Sequence, residues 1–211
     1  MMRATRVDSA DTVREGFAGD AYYALMTEAL AEILKEKGLV AEAEIAEFVA
    51  RLEAPRPEWG AHLVARAWID EDFKRRLLAD GARAAAELGY AIKEAQLVVV
   101  ENTTEVHNLI VCTLCSCYPR SLLGQPPWWY ISKAYRARSV REPRVVLREL
   151  GLDIPPDVVV RVHDSNADMR YLVLPARPFG TQAWSEAALM AIVSRDAMIG
   201  AAVPAVPRAG L

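Results

Sequence analysis

Residues that carry metal or redox chemistry are scarce in this chain. Its 211 residues include only three cysteines and three histidines. A disulfide framework needs more cysteines, spread along the chain, so none is expected. Positive charge is not in excess either: 25 Lys and Arg face 28 Asp and Glu, for a formal charge of -3. That balance lacks the electrostatic footprint of a nucleic-acid binder, and no nucleic-acid partner is expected. No run approaches the ~18 apolar residues of a membrane span, so no membrane partner is expected. The opening MMRATRVDSADTVREG lacks the apolar core of a signal peptide, and a cytoplasmic location is the expectation.

What is present is enough apolar material for a core. Hydrophobic residues make up 53% of the chain, and the length suits one domain, or one domain plus an arm. The spacing of Tyr22, Leu25, Met26, Leu30, Ile33 and Leu34 predicts a helix over 20–37 with Gly38 as its C-cap. A second helix runs from Glu42 through Ile45, Phe48, Val49 and Leu52 and stops at Pro55 and Pro57. A third helical pattern covers 59–89, with Asp70 placed to cap a helix starting at Glu71 and Asp72 adding charge to its first turn.

The periodicity changes after Gly89. QLVVVEN, 96–102, reads as a buried strand, and VHNLIVC, 106–112, as a second short strand. Pro119, Pro126 and Pro127 argue for irregular backbone between them and a helical region at 132–150, broken before Pro143. VVVRVHDSNADMRYLVLP reads as a β-hairpin turning at SNAD, and 185–200 as a helix capped by Ser185. The tail after it is expected as a strand end or extended arm. The expected class is α+β: a helical N-terminal arm, 1–60, followed by a layered mixed α/β domain, 61–211. Five tryptophans, Trp59, Trp68, Trp128, Trp129 and Trp184, suit core positions first and a partner interface second.

All three cysteines fall in IVCTLCSCYPR as Cys112, Cys115 and Cys117, a C-x-x-C-x-C spacing. Four explanations fit thiols placed so close together. They are incidental small core residues. Or Cys112 and Cys115 are a redox pair, which leaves Cys117 without a role. Or they join one of His62, His107 and His163 in a zinc site, which needs a long-range return of the chain. Or the loop wraps one transition metal from one side, with the backbone nitrogens of Ser116 and Cys117 as further ligands and an open position for a Lewis-acid reaction. Spacing alone does not choose between the last two. His107 is expected to make a structural hydrogen bond, and Arg136, Arg138, Arg141 and Arg144 to form salt bridges or subunit contacts.

The segment VCTLCSCYP resembles the metal-binding signature of the nitrile hydratase alpha subunit. The resemblance continues through RAWIDEDFKRRLLADG, VVVENTTEVHNLIVC, PPWWY, AYRARSVREPR, RYLVLPARPFGT and WSEAALMAIVSRDAMIG, roughly residues 20 to 205. It implies a nitrile hydratase alpha-like fold and the hydration of a nitrile to its amide. It implies Cys112, Cys115 and Cys117 as sulfur ligands and the nitrogens of Ser116 and Cys117 as the rest of the metal set. It further implies Cys115 as cysteine sulfinic acid and Cys117 as cysteine sulfenic acid, with Cys117, Cys115 and Ser116 as catalytic residues. Thr113 and Tyr118 resemble the cobalt-type members, so the expected ion is non-corrin cobalt(III), ahead of iron(III). The implied partners are a beta subunit, or split beta-like subunits, and an activator protein for metal insertion. The metal-bearing subunit of thiocyanate hydrolase shares this signature and is the alternative; a non-catalytic cobalt scaffold is a second. Arg120 and Ser121 replace the tryptophan and proline common after CYP, Gln125 replaces a common leucine, and YAIKEAQ stands where a glycine-rich turn is usual. These departures leave the substrate open.

Overall fold

The computed structural model describes residues 9–92 and 96–207, and for 9–20 and Leu52 the backbone alone. The N-terminal stretch 1–8, part of the YAIKEAQ turn (93–95) and the end of the tail (208–211) lie outside the described residues. The chain divides into two compact units, Met1–Arg51 and Leu52–Leu211.

The first unit is helical. Helix α1, Ser9–Glu36, begins earlier than the apolar spacing requires. It ends at Gly38, where φ is 65°. There Gly38 N donates to Lys35 O and Leu39 N to Leu34 O, the paired bonds of a glycine C-cap. Helix α2, Glu42–Glu53, carries Glu42 and Glu44 in its first turn, where the helix dipole favours negative charge. The apolar residues Tyr22, Leu25, Met26, Leu30 and Ile33 of α1 are exposed.

In the second unit the expected 59–89 pattern is three helices, α3 (Pro57–Ile69), α4 (Glu71–Ala79) and α5 (Gly81–Glu87). Two aspartates make the breaks. Asp70 and Asp80 both take extended backbone, and their side chains accept from Phe73 N and Arg83 N. Each thereby satisfies an otherwise unpaired N–H of the helix it starts. Pro57 sits in the first turn of α3, where no intrahelical N–H is lost. Between the expected strands β1 (Gln96–Glu101) and β2 (Val106–Val111) and the rest lie α6 (Arg120–Leu123), α7 (Trp128–Ile131), α8 (Lys133–Arg141) and α9 (Pro143–Glu149). Then come β3 (Val159–Asp164), β4 (Met169–Leu174), α10 (Glu186–Met190) and a 3-10 turn at Ala197–Ile199. The helix expected at 185–200 is therefore only its first turn and a half, capped as expected by Ser185. No strand forms in the tail among the described residues.

The expected β3–β4 hairpin is overturned. β3 pairs in parallel with β2, and β4 in parallel with β1, as two separate two-stranded sheets. Both strands spend their backbone groups on distant partners, so SNAD is a crossing between sheets. Alternation along a strand reports which face is buried, and says nothing about which strand lies alongside. Leu63, Leu77, Leu97, Leu109, Leu147 and Leu172 meet in one core, with Tyr118 and Tyr130 among its largest buried side chains. Arg66 grips Glu186 through Nε and Nη2 at 2.8 and 2.9 Å and so ties α3 to α10.

A buried polar chain joins the two sheets. Asn102 Oδ1 accepts from Asn108 N, and Asn108 Nδ2 donates to Glu101 O. His163 Nε2 stands 2.8 Å from Asn108 Oδ1, and His107 Nε2 stands 2.7 Å from Gly200 O. His107 thus has the structural role expected of it. Burial holds both imidazoles below their ordinary value of 6.5, and for His163 the charge of Arg161 adds to this. The sign follows. The unfolded chain takes up these protons as pH falls past about 6.5 while the fold resists, so stability declines below that pH. Glu186, held low by Arg66, loses its contribution only below its ordinary 4.5. A thermal scan should show a lower Tm at about pH 5.5 than at about 7.5, and a shallower dependence in His107→Gln.

Candidate metal centre

The cysteine loop starts where β2 ends. Val111 pairs with Asp164 in the β2–β3 register, and Cys112 follows, fully buried. The loop then turns outward. Cys115 is exposed and Cys117 half-buried. The turn brings the sulfurs together: Sγ of Cys112 and Cys115 are 3.5 Å apart, and Sγ of Cys115 and Cys117 3.2 Å. All three lie within 4.8 Å of one another. Two sulfurs each ~2.3 Å from one ion stand about 3.3 Å apart at a right angle and about 3.8 Å apart at the tetrahedral angle. The two measured contacts bracket the right-angle figure.

No histidine belongs to this group: among the described residues it consists of the three cysteines alone. His62 is engaged with Tyr90 and Glu186, and His107 and His163 with the sheet-joining chain. The three-cysteine, one-histidine zinc arrangement is therefore not formed. The donor set is soft sulfur, which suits transition metals.

The protein favours the Cys115 thiolate over that of Cys117. Cys115 is lowered to about 7, first by the Cys117 thiol, then by that of Cys112, and further by the backbone N–H groups of Ser116 and Cys117. Cys117 is pushed up to about 12 by burial and then by its neighbours' sulfurs, with the Arg170 charge opposing. The Ser116 side chain makes no hydrogen bond within the described residues.

Several supports of the loop carry no sequence signal. Asp164 accepts Thr113 N at 2.9 Å on Oδ1 and Thr113 Oγ1 at 2.6 Å on Oδ2. Tyr130 OH donates to Cys117 O at 2.7 Å, and Tyr135 OH to Ile110 O at 2.6 Å. Asp164 and Arg170 reach the loop only through parallel pairing over a long separation. Tyr130 lies inside PPWWY, where nothing in the sequence marks its bond to the loop. Of the arginines after the loop, Arg138 pairs with Glu142 and Glu149, and Arg144 donates to the carbonyls of Ile154, Pro155 and Val158. Removing both oxygens that hold Thr113, as in Asp164→Ala, should weaken metal retention about 10–100-fold. Asp164→Asn keeps an acceptor for Thr113 N and should lose less. Metal content after dialysis against a chelator reads both.

The family described as nitrile hydratase, alpha chain, matches residues 21–202. The chain belongs to that family. It is 48% identical over 186 residues to the low-molecular weight cobalt-containing nitrile hydratase subunit alpha of Rhodococcus rhodochrous, covering 87% of this chain and 90% of that protein. It is 40% identical to the thiocyanate hydrolase subunit gamma of Thiobacillus thioparus, covering 86% of this chain and 80% of that protein. Its fold matches a double mutant of the Fe-type nitrile hydratase from Comamonas testosteroni Ni1 with a TM-score of 0.83 and 44% identity, over 90% of this chain and 94% of that one. The chain is accordingly an enzyme subunit of the nitrile hydratase alpha type that works with a partner, and the scaffold alternative falls away. Among the described residues, the three cysteines are the group of His, Cys, Asp and Glu side chains placed so that they could hold a metal ion. No helix among the described residues is long and apolar enough to cross a membrane.

Proposed function

We propose that this chain hydrates a nitrile to its amide at a non-corrin cobalt(III) ion. Cys112, Cys115 and Cys117 would hold the ion through sulfur, and Ser116 and Cys117 through their backbone nitrogens. The convergence of three sulfurs within 4.8 Å around an outward-facing loop carries the reading. When bound, the ion supplies Lewis-acid polarisation to a nitrile or to water. The protein supplies unequal sulfurs. Oxidation of thiols by an oxygen-donating oxidant such as dioxygen follows thiolate character and exposure. Cys115 has both and is the residue assigned to sulfinic acid. Half-buried Cys117 is assigned to sulfenic acid, and buried Cys112 stays a plain thiolate. The oxygen on Cys117 then accepts a proton from the attacking water, with the Arg170 charge favouring the negative form. The product amide keeps the water oxygen on carbon and both its hydrogens on nitrogen. Thr113 and Tyr118, and cobalt-containing relatives such as that of Rhodococcus rhodochrous, favour cobalt over iron.

The pocket would be completed by a beta subunit or split beta-like subunits. Leu114, inside the loop, is 85% exposed and Trp128 72%, and such exposed apolar groups suit a covered interface. An activator protein would insert the metal, and a cytoplasmic setting would keep the thiols reduced until then.

One observation favours thiocyanate hydrolysis as a second reading. Arg120, exposed and without an ion pair among the described residues, stands three positions after Cys117 where tryptophan is usual. A cation there suits an anionic substrate. The test is to purify the chain with its partner subunits, identify the metal and offer nitriles and thiocyanate side by side. Cobalt with nitrile turnover is expected. Absence of cobalt sinks the metal assignment, and turnover of thiocyanate alone sinks the substrate.

A further inference from the structure

The basic residues after the cysteine loop separate by helix face. Helix α8 turns Tyr135 and Ser139 into the core. Arg138 is taken up by Glu142 and Glu149, and Arg144 by the carbonyls of Ile154 and Pro155. Lys133, Arg136, Ala137, Val140 and Arg141 remain, and their spacing is that of one helical face. All five line one cavity of about 410 Å³, which Thr113 completes from the start of the cysteine loop. Lys133, Arg136 and Arg141 make no ion pair among the described residues, whereas Lys74, Arg76, Arg138 and Arg148 on α4, α8 and α9 each hold a carboxylate. The carboxylate tied to the cavity wall is that of Asp164, and both its oxygens already accept from Thr113.

For the chain by itself this arrangement is unfavourable. Lys133 opens α8, where the helix dipole favours negative charge, and Arg136 repeats its charge one turn on. The whole chain carries a formal charge of -3, so this positive face is a local concentration and not a general excess. Its compensation comes from outside. The chemistry of that compensation is set by the apolar lining among the cations, Ala137 and exposed Val140. Leu114, next to Thr113, and Ile131, just before Lys133, are exposed as well. A bare anion such as phosphate would satisfy the cations and leave these side chains wet. A polyphosphate backbone would do the same. An acidic polypeptide segment offers carboxylates and aliphatic groups together, and a chain that works with a partner subunit has such a polypeptide at hand.

We propose that the partner subunit lays an acidic, partly apolar segment along this face of α8, with its Asp or Glu carboxylates on Lys133, Arg136 and Arg141. This docking rests on the reading of the chain as one of a set of subunits, and it needs no particular metal or substrate. Guanidinium–carboxylate pairs fix register and orientation, because both groups are planar and bond in pairs. Thr113, which follows Cys112, closes the cavity, so the seated segment lies against the cysteine loop. The three cations thereby set where the partner meets the candidate metal centre.

Two experiments with the full chain and its partner subunit test this. In the assembled complex, a carbodiimide that joins amines directly to carboxylates should link Lys133 Nζ to an Asp or Glu of the partner, read by mass spectrometry after digestion. Lys133 left unlinked, and freely acetylated in the complex, overturns the docking. In a binding titration, Arg136→Glu and Arg141→Glu should each weaken partner binding about tenfold or more at low salt. Arg136→Gln and Arg141→Gln, which remove charge without reversing it, should show smaller losses in the same direction. Added salt should weaken the parent more than the double variant. Arg83→Glu makes the same change of net charge on α5, where Arg83 lines a different cavity, and should bind like the parent. Thermal unfolding confirms that each variant is folded. Variants that bind as tightly as the parent overturn the docking and leave the partner reading standing, whereas a parent that binds no partner overturns both. Tight binding of inorganic phosphate to the complex, lost in Arg136→Gln, would give this face to a free anion and overturn the docking as well.

Discussion

Replacing Cys115 by alanine is expected to lower metal retention and turnover by more than the ~100-fold seen for outer partners of a metal site, in the complex with partner subunits. Cys115 is the middle sulfur: both short contacts, 3.5 and 3.2 Å, are its own. Without it the remaining pair is joined by neither contact. It is also the thiol held near 7, whereas Cys117 is pushed up to about 12. The substitution therefore removes a sulfur readier to bind as thiolate than that of Cys117. Cys115→Ser keeps the size and loses the soft donor, so it should fail to hold the metal as well. Because Cys115 is exposed, the fold should be unchanged within about 0.5 kcal/mol. Elemental analysis beside thermal unfolding separates the two effects, and a fully loaded, active Cys115→Ala complex would overturn the ligand assignment.

The largest effect on stability is expected from Gly200→Ala. Gly200 has φ of 82°, and a Cβ placed there would lie 1.9 Å from Asn108 O and 3.0 Å from Leu109 Cα. Its own carbonyl is the partner of His107. The turn thus lies directly on β2, the strand that leads into the cysteines, and neither backbone has room to give. Left-handed backbone costs an alanine about 1–2 kcal/mol and overpacking a further ~1–3 kcal/mol. A loss of roughly 3 kcal/mol or more by chemical denaturation follows. Gly89→Ala is the control. Its φ is 86° with nothing within 4 Å of the added carbon, so only the backbone cost of about 1 kcal/mol applies. Equal losses at the two positions would show that contact with β2 is unimportant.

Legibility in the sequence divides along sequence separation. What depends on neighbours in the chain was legible: the Gly38 cap, Asp70 starting a helix, Ser185 capping another, and the convergence of thiols spaced C-x-x-C-x-C. Asp80 escaped notice because the alanines after it favour helix whether or not the chain bends first. What depends on distant pairing was misread. β3 and β4 alternate like a hairpin, yet each pairs in parallel with an earlier strand, and periodicity holds no record of the partner. The same blindness hid Asp164 and Arg170, which reach the loop only through those pairings. The family resemblance made up for this at the candidate metal centre, where it named three thiols that do converge, but it did not supply the residues that hold them in place.

The parallel pairing of β2 with β3 has a consequence for the newborn chain. Thr113 and the Asp164 carboxylate that fixes it are 51 residues apart. At ~5–20 residues per second, the ribosome delivers the second several seconds after the first. Parallel pairing over such a distance is slow even once both strands are available. The three thiols therefore emerge reactive and unshaped, in an interval when a wrong metal or a stray disulfide competes for them. Loading of the correct ion belongs after translation, when the last third of the chain has closed over the first strands.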